Sequence, residues 1–264
     1  MSIEEITKRK NLIFIILSAF FITNAILAEI IGVKIFSLES TLSLAPAQIN
    51  ILGLYQLDFN LTAGVIIWPF VFLTTDLINE YFGKDGVRKI TFITTGMIIY
   101  VFLIIWIATK VSPAKFWLEV NHLDLEGNPI NINTAYATIF QQGGGIIIGS
   151  ITAFLVGQML DVYVFHYIRK LTGQKYIWLR ATGSTLVSQL IDSYLVLFVA
   201  FFLLGGANSW EIAMVFAVGS INYIYKFLVA ISLTPLLYII HRWIDQYLGK
   251  KVATKMIDVA NEEF

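Results

Sequence analysis

Residues 61–110 read LTAGVIIWPFVFLTTDLINEYFGKDGVRKITFITTGMIIYVFLIIWIATK. Two apolar runs, 61–82 and 90–109, flank a short basic connection that holds Lys84, Arg88 and Lys89. Each run has the ~20 mostly apolar residues that one helix needs to cross a bilayer core. Comparable runs lie at 11–34, 143–165, 183–205 and 212–240. The reading is an all-α membrane protein of six transmembrane helices, one domain covering residues 1–264.

Composition agrees. Of 264 residues, 57% are apolar and 14% charged, and the mean hydropathy is +0.75. Soluble domains carry roughly a quarter charged residues, so a water-soluble globular enzyme is excluded. Eighteen basic residues balance eighteen acidic ones, which argues against nucleic acid as a partner. No cysteine is present, which removes disulfides and thiolate metal sites. Lys8, Arg9 and Lys10 before the first run resemble the start of a signal peptide. That run outlasts the ~7–15-residue core of such a peptide, and a retained first helix is expected.

The basic residues set the orientation. Lys8, Arg9 and Lys10, then Lys84, Arg88 and Lys89, then Arg169, Lys170, Lys175 and Arg180, and finally Arg242, Lys250, Lys251 and Lys255 fall on one side. Lys110 and Lys115 are the only ones on the other, with Lys34 and Lys226 within or at the edge of spans. Both termini are therefore expected in the cytoplasm. In the connection before the second run, Ile49, Ile51, Tyr55, Leu57 and Phe59 alternate with the period of a strand. Leu123, Leu125, Ile130 and Ile132 alternate around the turn-like Glu126-Gly127-Asn128-Pro129. Short extracytoplasmic β-hairpins are expected at both places, with irregular interfacial segments as the alternative.

Ionisable groups inside spans are costly and mark sites. Asp192 and Lys226 fall near the bilayer middle, while Glu29 lies in the outer part of the first helix. Asp76, Asn79 and Glu80 share one helical face that must look inward. For Glu80, pairing with Arg88, Lys89 or Arg180 is the competing structural reading. Pro69 suggests a helix interrupted near the site. Ser184, Ser188 and Asp192 follow an i, i+4, i+8 stripe with Gln189 beside it, and Asp161 sits in a similar phrase near the inner rim. Asn222 and Lys226 stand four apart, and Asp192, Asp76 or Glu29 could pair with the lysine. Gly143, Gly144, Gly145 and Gly149 allow close approach of either a helix or a ligand.

The three histidines, at 122, 166 and 241, form no paired metal motif, and no nucleophile elbow or phosphate-cradling loop occurs. No cofactor is expected. Carboxylates, amides, hydroxyls, a deep lysine and rings such as Trp68, Phe72 and Tyr194 suit a small, flat, polar solute. A guanine-like edge offers adjacent N–H donors that a carboxylate accepts in pairs.

The phrases at 24–34 (NAILAEIIGVK), 75–84 (TDLINEYFGK) and 188–193 (SQLIDS) together resemble the queuosine precursor transporter family, within the vitamin uptake transporter class. The resemblance runs from residue 11 to about 245, and its second phrase is the most specific; the segments at about 37–60 and 121–133 look longer than in the simplest members. It implies import of cyano- and aminomethyl-deazaguanines across the bacterial inner membrane. It also implies a fold like that of energy-coupling-factor substrate-binding subunits, working without the ATPase. The family's polar motif positions correspond here to Asn24, Glu29, Asp76, Asn79, Glu80, Gln189, Asp192 and Lys226. On this resemblance Asp192 or Glu29 grips the base, and Asp76 pairs with Lys226 until substrate loads.

Two rivals stay open. One is a binding subunit that needs a separate ATPase; the other is an intramembrane enzyme acting on lipid. The substrate-binding set is Asn24, Glu29, Trp68, Asp76, Asn79, Glu80, Gln189, Asp192, Asn222 and Lys226. The expected partners are a planar nucleobase-like substrate and membrane lipid, with a homo-oligomer left open.

Overall fold

The computed structural model describes residues 2–51, 53–141, 143–173 and 176–262; Lys175, counted above with the inner basic residues, lies outside them. The first helix, α1 (Ile3–Ile31), starts where the Ser2 hydroxyl accepts the Glu5 amide, with Glu4 and Glu5 complementing the helix dipole. Short elements follow: β1 (Ile35–Ser37), α2 (Leu38–Thr41), β2 (Ile49–Ile51), β3 (Tyr55–Leu57) and β4 (Asn60–Thr62). Next come α3 (Trp68–Lys110), α4 (Lys115–Val120), α5 (Ile132–Phe140), α6 (Gly144–Thr172), α7 (Ile177–Leu197), α8 (Ile212–Leu248) and α9 (Lys250–Glu262). A six-residue π-helical stretch, Phe198–Leu203, continues α7. Among the described residues, five helical stretches are long and apolar enough to cross a membrane.

The runs 61–82 and 90–109 are joined in α3, whose 43 residues contain one break, at Gly83 (φ 66, ψ −169). A straight helix of this length would measure about 65 Å. Instead both ends of α3 meet Gln141: Trp68 lines a cavity with it, and the Thr109 hydroxyl accepts from its Nε2 at 2.9 Å. Gly83 is thus an elbow between two arms, 68–82 and 84–110. Its backbone geometry is open essentially to glycine alone.

The expected start of the second run is corrected. Residues 60–62 are strand and 63–66 a 3₁₀ turn, so the helix begins at Trp68 and Pro69 sits in its first turn. There its missing N–H has no helical partner to lose. The interruption suggested for Pro69 is therefore absent; a proline does lie inside a helix at Pro235, within the continuous α8. Lys34 lies beyond the end of α1.

The hairpin expected at 49–57 is present: Ile49 pairs with Leu57 and Ile51 with Tyr55, antiparallel. A second ribbon pairs β1 with β4, Ile35 opposite Thr62. At 123–132 only a single bridge, Leu123 to Pro129, forms, and Ile132 begins α5. Asn131 explains that start, since its side chain accepts the Thr134 amide at 3.1 Å. The turn is instead tied by Asp124, which accepts the amides of Asn128 and Glu126 at 2.8 and 2.9 Å. Those bonds, the Asn128 one foremost, hold its carboxyl below the usual range. Glu39, bonded by the Phe59 amide at 2.8 Å, is lowered in the same way.

The core follows the helical period. Ile13, Leu17, Phe21 and Ala25 are buried at four-residue spacing on α1, against Val71, Leu77 and Ile78 of α3. Ile15, Phe92, Trp106 and Ile239 face outward, each more than half exposed. An apolar surface of that extent requires a hydrocarbon environment. The start of α1 and the end of α8 meet at one end of the bundle, where the Arg9 guanidinium donates to the Tyr247 carbonyl at 2.7 Å. We call this the terminal end and the opposite one the strand end.

Replacing Gly83 by Ala should lower stability by about 1–3 kcal/mol, read from unfolding in mixed micelles. Gly96→Ala is the control, because no atom lies within 4 Å of the Cβ it would gain; it should be neutral or slightly stabilising. Equal behaviour of the two variants would contradict the elbow.

Candidate functional site

A cavity of about 380 Å³ opens near the strand end between α1, α6, α7 and α8. That volume lies within the ~300–1,000 Å³ typical of small-molecule sites. Five of the expected residues line it: Glu29, Trp68, Asp192, Asn222 and Lys226. Glu29 is 7% exposed, and its Oε1 accepts from Ser150 Oγ. Across the cavity Lys226 Nζ of α8 is ion-paired with Asp192 Oδ2 of α7. The pairing of Lys226 with Asp76 is therefore corrected, because Asp192 is the carboxylate within reach.

A second pocket of about 40 Å³ adjoins the first, sharing Val65, Trp68 and Lys226 with it. Phe72, Asp76, Thr185 and Gln189 also line it. Lys226 and Trp68 thus stand between two chambers. Asp76 Oδ2 accepts from Thr185 Oγ1 at 3.5 Å. Asp76 Oδ1 and Gln189 Nε2 are buried without a hydrogen-bond partner. Each orphaned polar atom costs about 1–3 kcal/mol, so Asp76 and Gln189 stand ready to form hydrogen bonds with a group that enters the pocket.

The face of α7 that meets the chambers is Thr185, Gln189, Asp192 and Val196. The stripe through Ser184 and Ser188 diverges from it. Ser188 Oγ donates to Asp161 Oδ1 at 3.1 Å, and Ser184 is fully buried. Both serve the α6–α7 contact. Gly145 and Gly149 serve it too: a Cβ on Gly149 would stand 3.0 Å from Ala200 Cβ. Of the two readings left open for that glycine run, helix packing holds at these two positions.

Three expected site residues lie apart from both chambers. Asn24 donates to the Phe20 carbonyl of its own helix at 2.7 Å. Asn79 is wholly buried, with neither amide atom bonded. Glu80 lies at the terminal end, where Arg180 holds both its oxygens, Nη2 at 2.6 Å and Nε at 3.0 Å. Arg169 Nη1 stands 3.7 Å from the same carboxylate and donates through Nη2 to the Ile257 carbonyl of α9 at 3.1 Å. Beside it Tyr81 donates to Asp245 at 2.7 Å, and His241 Nδ1 is 3.3 Å from Asp245 Oδ2. One clamp therefore ties α3, α6, α7, α8 and α9 below the chambers.

Ser150 and Thr185 were missed from sequence. Thr185 could have been found from its i, i+4, i+7 relation to Gln189 and Asp192; Ser150, among isoleucines and glycines, gives no such signal.

The family model described as "Putative vitamin uptake transporter" matches residues 62–240. The chain is 31% identical over 183 residues to a Bacillus subtilis protein named "Probable queuosine precursor transporter", covering 68% of this chain and 72% of that one. A Haemophilus influenzae protein of the same name is 28% identical over 67% of this chain and 66% of its own. An Escherichia coli "Queuosine precursor transporter" is 29% identical over 71% and 73% respectively. No solved structure matches.

Arg180→Met and Glu80→Met should each lower stability by about 3–5 kcal/mol, since each strands a buried charge. The double variant should lose less than the sum of the two. Unfolding in mixed micelles measures all three, and strictly additive losses would contradict a coupled clamp.

Proposed function

This chain belongs to the vitamin uptake transporter family, and on that footing we propose that it imports a queuosine precursor, a cyano- or aminomethyl-deazaguanine. It is a multi-pass transporter of the bacterial inner membrane. The elbow at Gly83 makes six crossings of the five long helices. The termini and the Glu80 clamp face the cytoplasm and the strands face outward, an arrangement that resembles energy-coupling-factor binding subunits. The chain performs no covalent chemistry.

The observation that carries this reading is the convergence of Glu29, Asp192, Asn222 and Lys226, with the Trp68 ring, on one cavity. The base enters from the strand end. Its adjacent N–H donors are a better match for a carboxylate than one ammonium, because two parallel bonds fix orientation as well as charge. Asp192 exchanges Lys226 for the base, Glu29 and Asn222 take the remaining edge, and Trp68 stacks on the ring. Asp76 and Gln189, below Lys226, receive the solute once the lysine moves. Asn24 and Asn79 shape the helices behind these groups, and Glu80 keeps the cytoplasmic side shut until the clamp opens.

A carrier working alone is favoured over a subunit docked on an ATPase complex. Docking of that kind uses small residues on the first helix. Here Ala25 and Ala28 are buried, and a Cβ on Gly64 would stand 2.6 Å from the Ala28 carbonyl. Those residues are already used inside the protein.

The purified chain in liposomes, with no other protein, should accumulate deazaguanine precursors. Asp192→Asn should insert normally yet slow uptake at least tenfold, as expected for loss of a charge-assisted bond worth about 1.5–3 kcal/mol. Uptake that requires an added ATPase, or that survives Asp192→Asn, would reject the reading.

A further inference from the structure

Away from the chambers, the terminal end holds a groove of about 820 Å³ between α1, the elbow of α3 and α9. One face of α1, through Ile3, Ile6, Lys10 and Phe14, forms the first wall. Phe82, Asp85 and Lys89 form the second, and α9 closes the third with Lys251, Lys255 and Met256. The floor is apolar, with the Phe14 and Phe82 rings 4.9 Å apart. Lys10, Lys89, Lys251 and Lys255 face a single carboxylate, Asp85. Among the described residues none of these four lysines is in an ion pair.

Four ammonium groups gathered around one hollow repel each other unless an anion sits among them. Depth says which kind. Lys89 is about 9 Å of helix beyond the elbow, which on the topology proposed above puts it at the boundary between water and hydrocarbon. One turn further, Ile15 of α1 and Ile93 of α3 are exposed and lead from the groove into the lipid-facing surface. A soluble anion has no use for that apolar path, whereas a phospholipid uses both parts.

We propose that this groove binds an anionic phospholipid of the bilayer, its phosphate held by the four lysines and its chains laid along α1 and the second arm of α3. The lipid fastens α9 to the bundle. Because α9 supplies the Ile257 carbonyl to Arg169, lipid binding supports the Glu80 clamp without touching the transport cavity.

The test uses the full chain in phosphatidylcholine nanodiscs with increasing phosphatidylglycerol. The melting temperature should rise, and native mass spectrometry should retain phosphatidylglycerol in preference to phosphatidylcholine. Lys251→Gln with Lys255→Gln should raise the phosphatidylglycerol needed for half the thermal shift at least tenfold, at about fivefold per lysine. Lys8→Gln with Lys115→Gln, outside the groove, should leave it unchanged. Inorganic phosphate and glycerol phosphate should give no shift. The proposal is overturned if the groove variant and the control respond alike, or if the soluble phosphates reproduce the shift.

Discussion

A charge that faces hydrocarbon costs several kcal/mol unless it finds a partner or water, and this one constraint organises the bundle. Each deep ionisable group turns inward, and each draws helices together around itself. Glu80 gathers Arg180 and Arg169. Asp192 gathers Lys226. Glu29 takes the Ser150 hydroxyl. The outward faces of the helices are largely apolar and supply little specificity of their own. It is the polar groups that fix which faces meet.

The two charged centres differ in consequence. At the terminal end Glu80 is buried and bound through both oxygens by Arg180. At the strand end the Asp192–Lys226 pair borders a cavity and retains some exposure, 18% for the aspartate side chain and 13% for the lysine. Stranding one partner of a fully buried pair costs about 3–5 kcal/mol, and the cost falls where water or another polar group can reach the one released. The molecule thus carries one charged centre enclosed by its partners and one that borders open space.

Much of this was legible in the sequence, for physical reasons. Apolar runs of bilayer length are read directly, as are the alternating residues of the hairpin at 49–57. The pairing of Asp192 with Lys226 was among the alternatives for the lysine. What escaped depends on rotation and register. Counting from Ser184 and Ser188 aimed α7 at α6, whereas the working face runs through Thr185 and Gln189. Pro69 was read within a helix because the apolar run begins at Leu61, yet residues 60–62 pair as strand with β1 and delay the helix to Trp68. Tertiary strand pairing overrode local hydropathy there. Glu80 did not escape: its pairing with Arg180 was the competing reading, and one turn of separation from Asp76 at the end of an arm brings it about.

Import of a deazaguanine through this cavity requires that carboxylates recognise its paired N–H edge. The direct measurement is binding of the cyano-deazaguanine to the purified protein, in competition with guanine, adenine and biotin. The deazaguanine should bind, guanine should compete because it presents the same donor edge, and adenine and biotin should not. Equal competition by adenine, or no binding of the deazaguanine, would contradict the assignment of this cavity.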